Sequence, residues 1–308
     1  MKELTIISGK GGTGKTSITA SFAALADSAV LADCDVDAAD LYLIMNPDII
    51  VRENFTGGSV AKIKPGHCVA CGKCEELCMF DAIFYDGPGN GTYPKTFRVD
   101  PISCEGCGVC AWFCAEKAIE FKPAVNGQWF ISETFHGPMV HAKLGIAQEN
   151  SGKLVNIVRN NAKELAKRSN IETVIIDGSP GIGCPVIASI TGVDLVLAVT
   201  EPTLSGEHDL KRILELSEHF KIPTGIAINK WDINKEMTYK IEKFATEKGI
   251  ELFGRIRYDK AVTDAMIHET SVVEYTSAGA AEDIKNLWNN VNNKLAELSL
   301  GENVESNK

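Results

Sequence analysis

Hydrophobic positions along the chain fall into short apolar runs that alternate with longer segments of helical periodicity. The run ELTIISG (Glu3–Gly9) precedes an alanine-rich helical stretch from Lys15 to about Asp27, and AVLADCD (Ala29–Asp35) follows as a second buried run. Strands buried on both faces of a parallel sheet read as continuous apolar runs, and helices usually connect them. This order therefore predicts a βαβ unit at the start of a parallel sheet.

The same alternation returns in the second half of the chain. Further strands are predicted at Thr173–Gly181, Asp194–Pro202, Thr224–Lys230 and Glu251–Ile256. Helices are predicted at Leu154–Lys167, Glu207–Phe220, Asn234–Lys248 and Ala281–Leu298. The pattern predicts an α/β fold with a mostly parallel sheet and helices on both faces, and the polar end, residues 299–308, is expected to fray.

The middle of the chain departs from this alternation. Periodicity fades between about Ala61 and Lys122, where eight of the ten cysteines lie. The flanking stretches VAKIKPGH and EFKPAVNG are interpreted as entry and exit connections of an insertion. We therefore expect one α/β domain formed by residues 1–61 and 123–308, and a small inserted domain at 62–122.

Composition narrows the classes of function. The chain has 308 residues, of which 44% are hydrophobic and 23% charged, as in globular proteins. A formal charge of −10 argues against non-specific nucleic-acid binding, which depends on basic residues. No signal peptide or membrane-spanning run is recognised, so a cytoplasmic location is expected. Thiols stay reduced there, so ten cysteines indicate metal or redox chemistry and not disulfides.

The stretch GKGGTGKT between the first strand and the first helix fits the phosphate-binding pattern G-x-x-x-x-G-K-[ST]. In such loops backbone N–H groups converge on phosphate oxygens. Lys15 is expected to reach the β- and γ-phosphates, and the Thr16 hydroxyl to ligate Mg²⁺. The predicted nucleotide-binding loop consists of Gly9, Lys10, Gly11, Gly12, Thr13, Gly14, Lys15, Thr16 and Ser17.

A second lysine within this loop, Lys10, narrows the class of phosphate-binding loop to which it can be compared. The loop resembles the deviant Walker A loop of the MinD/ParA/Mrp and nitrogenase iron protein group of ATPases. In that group this lysine reaches across a dimer to the nucleotide of the partner. The resemblance implies ATP hydrolysis with Mg²⁺, a homodimer that encloses the nucleotides, and a catalytic role for Lys10 and Lys15.

Two carboxylate motifs extend the resemblance. Asp35, in LADCDVDAADL, matches the residue that orients or activates the attacking water in the group, although Asp37 and Asp40 are nearby alternatives. VIIDGSPGIG resembles the Walker B and switch II region, which implies that Asp177 approaches the Mg²⁺ water shell and that Gly181 offers a backbone N–H near the γ-phosphate. Phosphoryl transfer depends mainly on such positioning and charge neutralisation.

The stretch AINKWD bears on whether the bound nucleotide is ATP or GTP. Asn229 matches the asparagine that contacts adenine in the resembling ATPases. The same letters also fit the N-K-x-D motif of GTPases, in which Asp232 would pair with guanine. Lys10 and the aspartate motif after the second strand favour ATP over GTP.

The cysteines form a repeated pattern. Both CVACGKCEELC and CEGCGVCAWFC read C-x₂-C-x₂-C-x₃-C, and Cys104 follows Cys68 at an offset of 36 residues. In bacterial two-cluster ferredoxins this spacing binds two [4Fe–4S] clusters, and the fourth cysteine of each run ligates the other cluster. Cluster 1 is therefore expected on Cys68, Cys71, Cys74 and Cys114. Cluster 2 is expected on Cys104, Cys107, Cys110 and Cys78.

Three details qualify this interpretation. Structural zinc usually takes two separated C-x₂-C pairs, so these longer runs fit zinc poorly. Ferredoxins usually have proline after the fourth cysteine, where this chain has Met79 and Ala115, which bears on the turn geometry. Cys34 and Cys184 lie outside both runs and are interpreted as small packing thiols.

The combined motifs resemble MinD/Mrp-type ATPases that carry an inserted ferredoxin domain. The favoured hypothesis is a homodimeric switch in which ATP hydrolysis is coupled to electron transfer through two [4Fe–4S] clusters to a partner protein. A cluster carrier that supplies apo-proteins and a redox-sensing regulatory switch are the alternatives. No nucleic-acid partner and no membrane span are expected.

Overall fold

The computed structural model describes residues 1–145 and 151–305. The strands found there are β1 (Lys2–Ser8), β2 (Val30–Asp33), β3 (Asp48–Ile63), β4 (Ile83–Pro88), β5 (Lys95–Val99), β6 (Ile119–Thr134), β7 (Gly137–Leu144), β8 (Thr173–Pro180), β9 (Leu195–Thr200), β10 (Thr224–Asn229) and β11 (Glu251–Ile256). The α-helices found there are α1 (Lys15–Leu25), α2 (Leu41–Met45), α3 (Lys73–Glu76), α4 (Val109–Trp112), α5 (Ser151–Ser169), α6 (Cys184–Ile190), α7 (Leu204–His219), α8 (Lys235–Glu247), α9 (Lys260–Ile267), α10 (Val272–Tyr275) and α11 (Ala280–Glu305).

The main sheet has the strand order β11-β10-β9-β1-β8-β2-β7-β6-β3. Every pairing from β11 to β7 is parallel. The neighbours β6 and β7 are joined by a two-residue turn and so run antiparallel. The predicted α/β fold with a mostly parallel sheet and helices is therefore confirmed.

The alternating segments outside the middle of the chain occur as predicted, with shifted ends. The last helix continues past residue 298 to Glu305, so the expected fraying is absent as far as residue 305, and residues 306–308 lie outside the described residues. The first half of VAKIKPGH lies in the 16-residue strand β3, and all of EFKPAVNG lies in the 16-residue strand β6, so these stretches have a strand structure that the periodicity does not indicate. These strands are largely exposed or half-buried, so they lack the apolar run that reveals a buried strand.

The chain divides into two compact units. The larger unit comprises Met1–Arg52, Trp129–Lys143 and the described residues from Ser151 onwards. The second, here called the cysteine unit, comprises Glu53–Gln128 together with residues 144 and 145. Its bounds are wider than the expected 62–122 because the ends of β3 and β6 belong to it.

Each unit has its own core. In the larger unit, apolar side chains of β1, β8 and β9 pack with those of α1 and α11, and the rings of Phe22 and Trp288 lie 4.9 Å apart. In the cysteine unit, a small core that includes Ile63, Ile83 and Phe97 packs directly against cysteines of both runs. Extensive apolar burial thus stabilises the larger unit, whereas the apolar core of the cysteine unit is small.

Candidate functional sites

The phosphate-binding loop connects the end of β1 to the start of α1. Gly12 and Gly14 adopt left-handed backbone angles, with φ of 79° and 88°, which favour glycine. A Cβ on Gly14 would also lie 2.4 Å from the Asn229 amide nitrogen. That amide donates a 2.7 Å hydrogen bond to the Thr13 carbonyl. The end of β10 therefore fixes the loop, and Gly14 leaves the space this contact requires.

A buried group of charged side chains lies at the start of α1. Lys15 Nζ lies 2.9 Å from Asp177 Oδ1 and 3.3 Å from Asp35 Oδ2. The Thr16 hydroxyl donates to Asp177 Oδ2 at 2.8 Å, and the Thr19 hydroxyl donates to Oδ1 at 3.1 Å. The fold thus brings together four residues that the sequence motifs placed on three separate segments.

Burial and neighbouring charge govern protonation in this group. Burial opposes the positive charge of Lys15, but the carboxylates of Asp177 and Asp35 outweigh it and raise the pKa of the ammonium group. Burial, together with Asp177, raises the pKa of the Asp33 carboxyl well above its usual range. Burial also raises the pKa of Asp35, and the nearby Lys15 opposes that rise. Lys15 is therefore held positively charged at the centre of the group.

A cavity of about 520 Å³ opens beside these groups. The residues predicted for the nucleotide site that line it are Gly11, Gly12, Thr13, Gly14, Lys15, Thr16, Ser17, Asp35 and Asn229. The sequence reasoning missed a second wall, formed after β11 and along α9 by Arg257, Tyr258, Asp259, Val262, Thr263 and Met266. The polar stretch RYDK immediately after a predicted strand could have indicated this wall, because strand ends in such sheets line ligand sites.

Asp35 is distinguished from its two alternatives by its contacts. It lines the cavity and pairs with Lys15. Asp40 also lines the cavity, but no contact joins it to Lys15 among the described side chains, and Asp37 is exposed. Of the three aspartates, Asp35 is therefore the one positioned with the charged group.

Four predicted residues are absent from the cavity lining: Asp177, which lies behind Lys15 and Thr16, and Lys10, Gly9 and Gly181. Lys10 Nζ lies 3.3 Å from Glu201 and 3.4 Å from the Ser205 hydroxyl. At Gly9 an added Cβ would lie 2.2 Å from the Cβ of Asp209, so this glycine allows close packing. The Gly181 N–H donates to the Ser8 carbonyl at 2.8 Å and is thus engaged within the protein.

Asp232, the candidate guanine reader, has a structural partner. Its carboxylate accepts a 2.7 Å hydrogen bond from the backbone N–H of Tyr258. It is absent from the described residues that line the cavity, although Asn229 and Lys230 are present there. This contact joins the loop after β10 to the loop after β11.

Cysteines of the two runs line two cavities in the cysteine unit. The larger, of about 200 Å³, is lined by Cys68, Cys71, Cys74 and Cys114, together with Cys110. The smaller, of about 20 Å³, is lined by Cys78, Cys104, Cys107 and Cys110. Each cavity therefore has three cysteines of one run and the fourth cysteine of the other, and Cys110 is the one cysteine of the described residues that borders both.

The 36-residue repeat extends to the backbone. Short helices α3 and α4 occupy equivalent positions, and each follows a left-handed glycine, Gly72 or Gly108. The fourth cysteine of each run accepts a backbone hydrogen bond on its sulfur, from Ala82 to Cys78 at 3.4 Å and from Ala118 to Cys114 at 3.3 Å. N–H donation to sulfur stabilises negative thiolates, which suits metal-ligating sulfur.

The two halves of this repeat exchange a matching pair of backbone bonds. The Lys64 N–H donates to Ala118 and the Asp100 N–H donates to Ala82, at 2.8 and 2.7 Å. Left-handed φ values recur at equivalent positions, as in Asp81 at 49° and Lys117 at 48°. The turns after the fourth cysteines are therefore alike, although Met79 and Ala115 stand where ferredoxins usually have proline.

All ten cysteines are free thiols. Within the described residues, no group of three or more His, Cys, Asp or Glu side chains is arranged to hold a metal ion. Cys34 is fully buried, as expected for a packing thiol, whereas Cys184 is exposed at the start of α6, so its interpretation as a buried thiol is wrong. No helix in the described part of the chain is long and apolar enough to cross a membrane.

Comparison with known proteins agrees with this architecture. Two uncharacterised proteins of Methanocaldococcus jannaschii are similar in sequence. MJ0578 is 36% identical over 75% of this chain and 79% of its own length, and MJ0579 is 26% identical over 89% and 94%. The cell division ATPase MinD of Pyrococcus furiosus has a similar fold, with a TM-score of 0.57 at 17% identity, covering 95% of this chain and 98% of MinD. MinD of Pyrococcus horikoshii, solved with Mg-ADP, also has a TM-score of 0.57, at 16% identity over 94% and 95% of the two chains.

The parallel sheet, the glycine loop and the buried lysine–aspartate group define a P-loop nucleotide-binding protein. Residues 4–272 match the CobQ/CobB/MinD/ParA nucleotide binding domain. This match spans most of the chain, which therefore belongs to that family.

Proposed function

We propose that this protein is a homodimeric ATPase that couples ATP hydrolysis to electron transfer through two [4Fe–4S] clusters in the cysteine unit. ATP and water yield ADP and phosphate in the larger unit. The two cysteine runs would hold the clusters, which would supply one-electron transfer between a reduced donor protein and an oxidised acceptor protein. The two cysteine-lined cavities, each with a fourth cysteine from the opposite run, are the observation that carries this proposal beyond its family.

The buried charged group supports the hydrolytic half of the proposal. Lys15 neutralises phosphate charge, and Thr16 with Asp177 holds Mg²⁺, which supplies further charge neutralisation when bound. The Asp35 carboxylate orients and activates the attacking water. The Lys15 ammonium group lies between Asp35 and Asp177, so its movement towards a bound phosphate would release both carboxylates from their ion pairs, while Thr16 and Thr19 would still donate to Asp177.

The base of the bound nucleotide is adenine in this proposal. Asn229 lies at the cavity wall, where it both fixes Thr13 and meets the base. Asp232 is held by the Tyr258 N–H, so its carboxylate is not presented to a guanine. Lys10 stays near Glu201 in the single chain and contacts the partner's nucleotide in the dimer.

The cysteine sets fit [4Fe–4S] clusters better than single metal ions. Cys68, Cys71, Cys74 and Cys114 would hold the first cluster, and Cys104, Cys107, Cys110 and Cys78 would hold the second. The cysteines of the two sets line two cavities of the cysteine unit. The clusters supply one-electron chemistry, and the chain supplies thiolates and N–H donors to Cys78 and Cys114.

Anaerobic purification with iron and acid-labile sulfide analysis tests the cofactor assignment. We expect about eight iron atoms and about eight sulfides per chain, with a Mg²⁺-dependent release of phosphate from ATP. Stoichiometric zinc with no sulfide would overturn the cluster assignment. Clusters that leave the protein for an apo-acceptor without net electron transfer would instead indicate a cluster carrier.

A further inference from the structure

The backbone beside Asp35 is anchored by one serine side chain. Strand β2 ends at Asp33, so the next residues leave the regular sheet ladder. The Ser179 hydroxyl donates a 2.6 Å hydrogen bond to the Cys34 carbonyl, and Ser179 is only 3% exposed. The Cys34 N–H donates to the Asp177 carbonyl at 2.8 Å. Both polar groups of Cys34 are thus held by the segment that carries Asp177.

This anchoring extends on both sides. The Asp35 N–H donates to Asp33 Oδ1 at 3.1 Å, so the residue after Cys34 is also fixed. On the far side of Ser179, the Gly181 N–H donates to the Ser8 carbonyl at the start of the phosphate loop. The stretch 177–181 therefore joins the end of β1 to the turn that presents Asp35.

Two of these hydrogen bonds involve a side chain, that of Ser179 and that of Asp33. Substitution of Ser179 removes its hydrogen bond without removing a charged group. A buried carbonyl without a hydrogen-bond partner is unfavourable, so loss of the Ser179 hydroxyl favours movement of the Cys34 carbonyl towards another partner. Any such movement rotates the peptide that precedes Asp35. Small misplacements of a catalytic group reduce rates strongly while leaving most binding contacts in place.

We infer that Ser179 is a positioning residue for hydrolysis: its hydroxyl fixes the Cys34 peptide and thereby aims the Asp35 carboxylate at the attacking water. This inference rests on the proposed role of Asp35.

Three variants test the inference in the full chain. Ser179→Ala removes the hydroxyl, and Ser179→Thr retains it. Ser189→Ala is the matched control, because Ser189 is also buried and its hydroxyl donates to the Val186 carbonyl at 2.8 Å within α6, away from the cavity lining. Steady-state hydrolysis gives kcat and KM, and amide hydrogen exchange reports the stretch 31–41.

For Ser179→Ala we expect kcat to fall about tenfold or more with KM changed less than about threefold. We expect faster exchange in the stretch 31–41, recovery of both readouts in Ser179→Thr, and no change of kcat in Ser189→Ala. An unchanged kcat, or unchanged exchange in this stretch, would overturn the inference. If the unaltered chain does not hydrolyse ATP, the proposed function fails, and the exchange result still decides whether Ser179 holds the turn.

Discussion

The two units build their candidate sites in different ways. In the larger unit, the site joins residues that are far apart in the sequence, since Thr13 contacts Asn229 and Lys15 contacts Asp177. In the cysteine unit, two similar 36-residue halves exchange one cysteine each, and short turns with left-handed residues place the others. The first site depends on tertiary folding of a large core, whereas the second is built from local loops.

Removal of the Lys15 side chain is expected to give the largest effect, a loss of hydrolysis in the larger unit without a change in the cysteine unit. In Lys15→Ala, Asp35 and Asp177 lose their buried cation and the phosphates lose theirs, so hydrolysis should fall about 100-fold or more. Cluster absorbance of the cysteine unit should stay intact. Phosphate release and anaerobic absorbance spectra measure both, with the exposed Lys167→Ala as control. Loss of both signals together would contradict separate roles for the two units.

The variant Asp35→Asn tests whether Asp35 is the residue that activates the attacking water in the larger unit. The amide cannot activate water, so kcat should fall about 100-fold, while nucleotide affinity changes little because Lys15 and the loop remain. Asp37→Asn and Asp40→Asn serve as matched variants, since neither side chain contacts Lys15 in the described structure. A loss confined to Asp40→Asn would transfer the role to that residue.

A buried histidine predicts how the stability of the larger unit depends on pH. Burial lowers the pKa of His141 to about 4, and its Nε2 lies 2.8 Å from the Ser132 hydroxyl. The unfolded chain takes up this proton near pH 6.5 and the folded chain only near pH 4, so stability contributed by the neutral ring is complete above about pH 6.5 and falls as the pH drops to 4.

The loss from this one group should be about 3 kcal/mol at most. Denaturant unfolding between pH 7 and 4 measures it in the unaltered chain and in His141→Gln, with the exposed His268→Gln as control. The slope should decrease only in His141→Gln. Equal slopes in all three proteins would show that His141 does not carry this pH dependence.

The smallest expected effect concerns the selectivity of the site between ATP and GTP. Asp232→Ala removes the acceptor of the Tyr258 N–H and should lower the free energy of unfolding by about 1 kcal/mol. The ratio of ATP to GTP affinity should change less than about twofold, by nucleotide titration. In contrast, Asn229→Ala should weaken ATP binding. Selective loss of GTP binding in Asp232→Ala would restore the guanine interpretation.

Sequence reasoning predicted the parallel sheet because strands buried on both faces contain uninterrupted apolar runs, as at residues 174–176 of β8 and 195–199 of β9. It missed β3 and β6, whose largely exposed residues carry no such signal. It also missed the wall formed by Tyr258 and Met266, since no motif connects these residues to the phosphate loop and only the fold brings them to the cavity. Motif spacing identifies residues close in sequence, whereas tertiary packing determines which distant residues join them.

Electron paramagnetic resonance of the reduced, anaerobic protein with and without MgATP tests the coupling of the two units most directly. We expect the signals of the [4Fe–4S] clusters, or their reduction potentials, to shift when MgATP is added to the unaltered chain and to stay constant in Lys15→Ala. Cluster signals that are identical with and without MgATP in the unaltered chain would contradict ATP-coupled electron transfer.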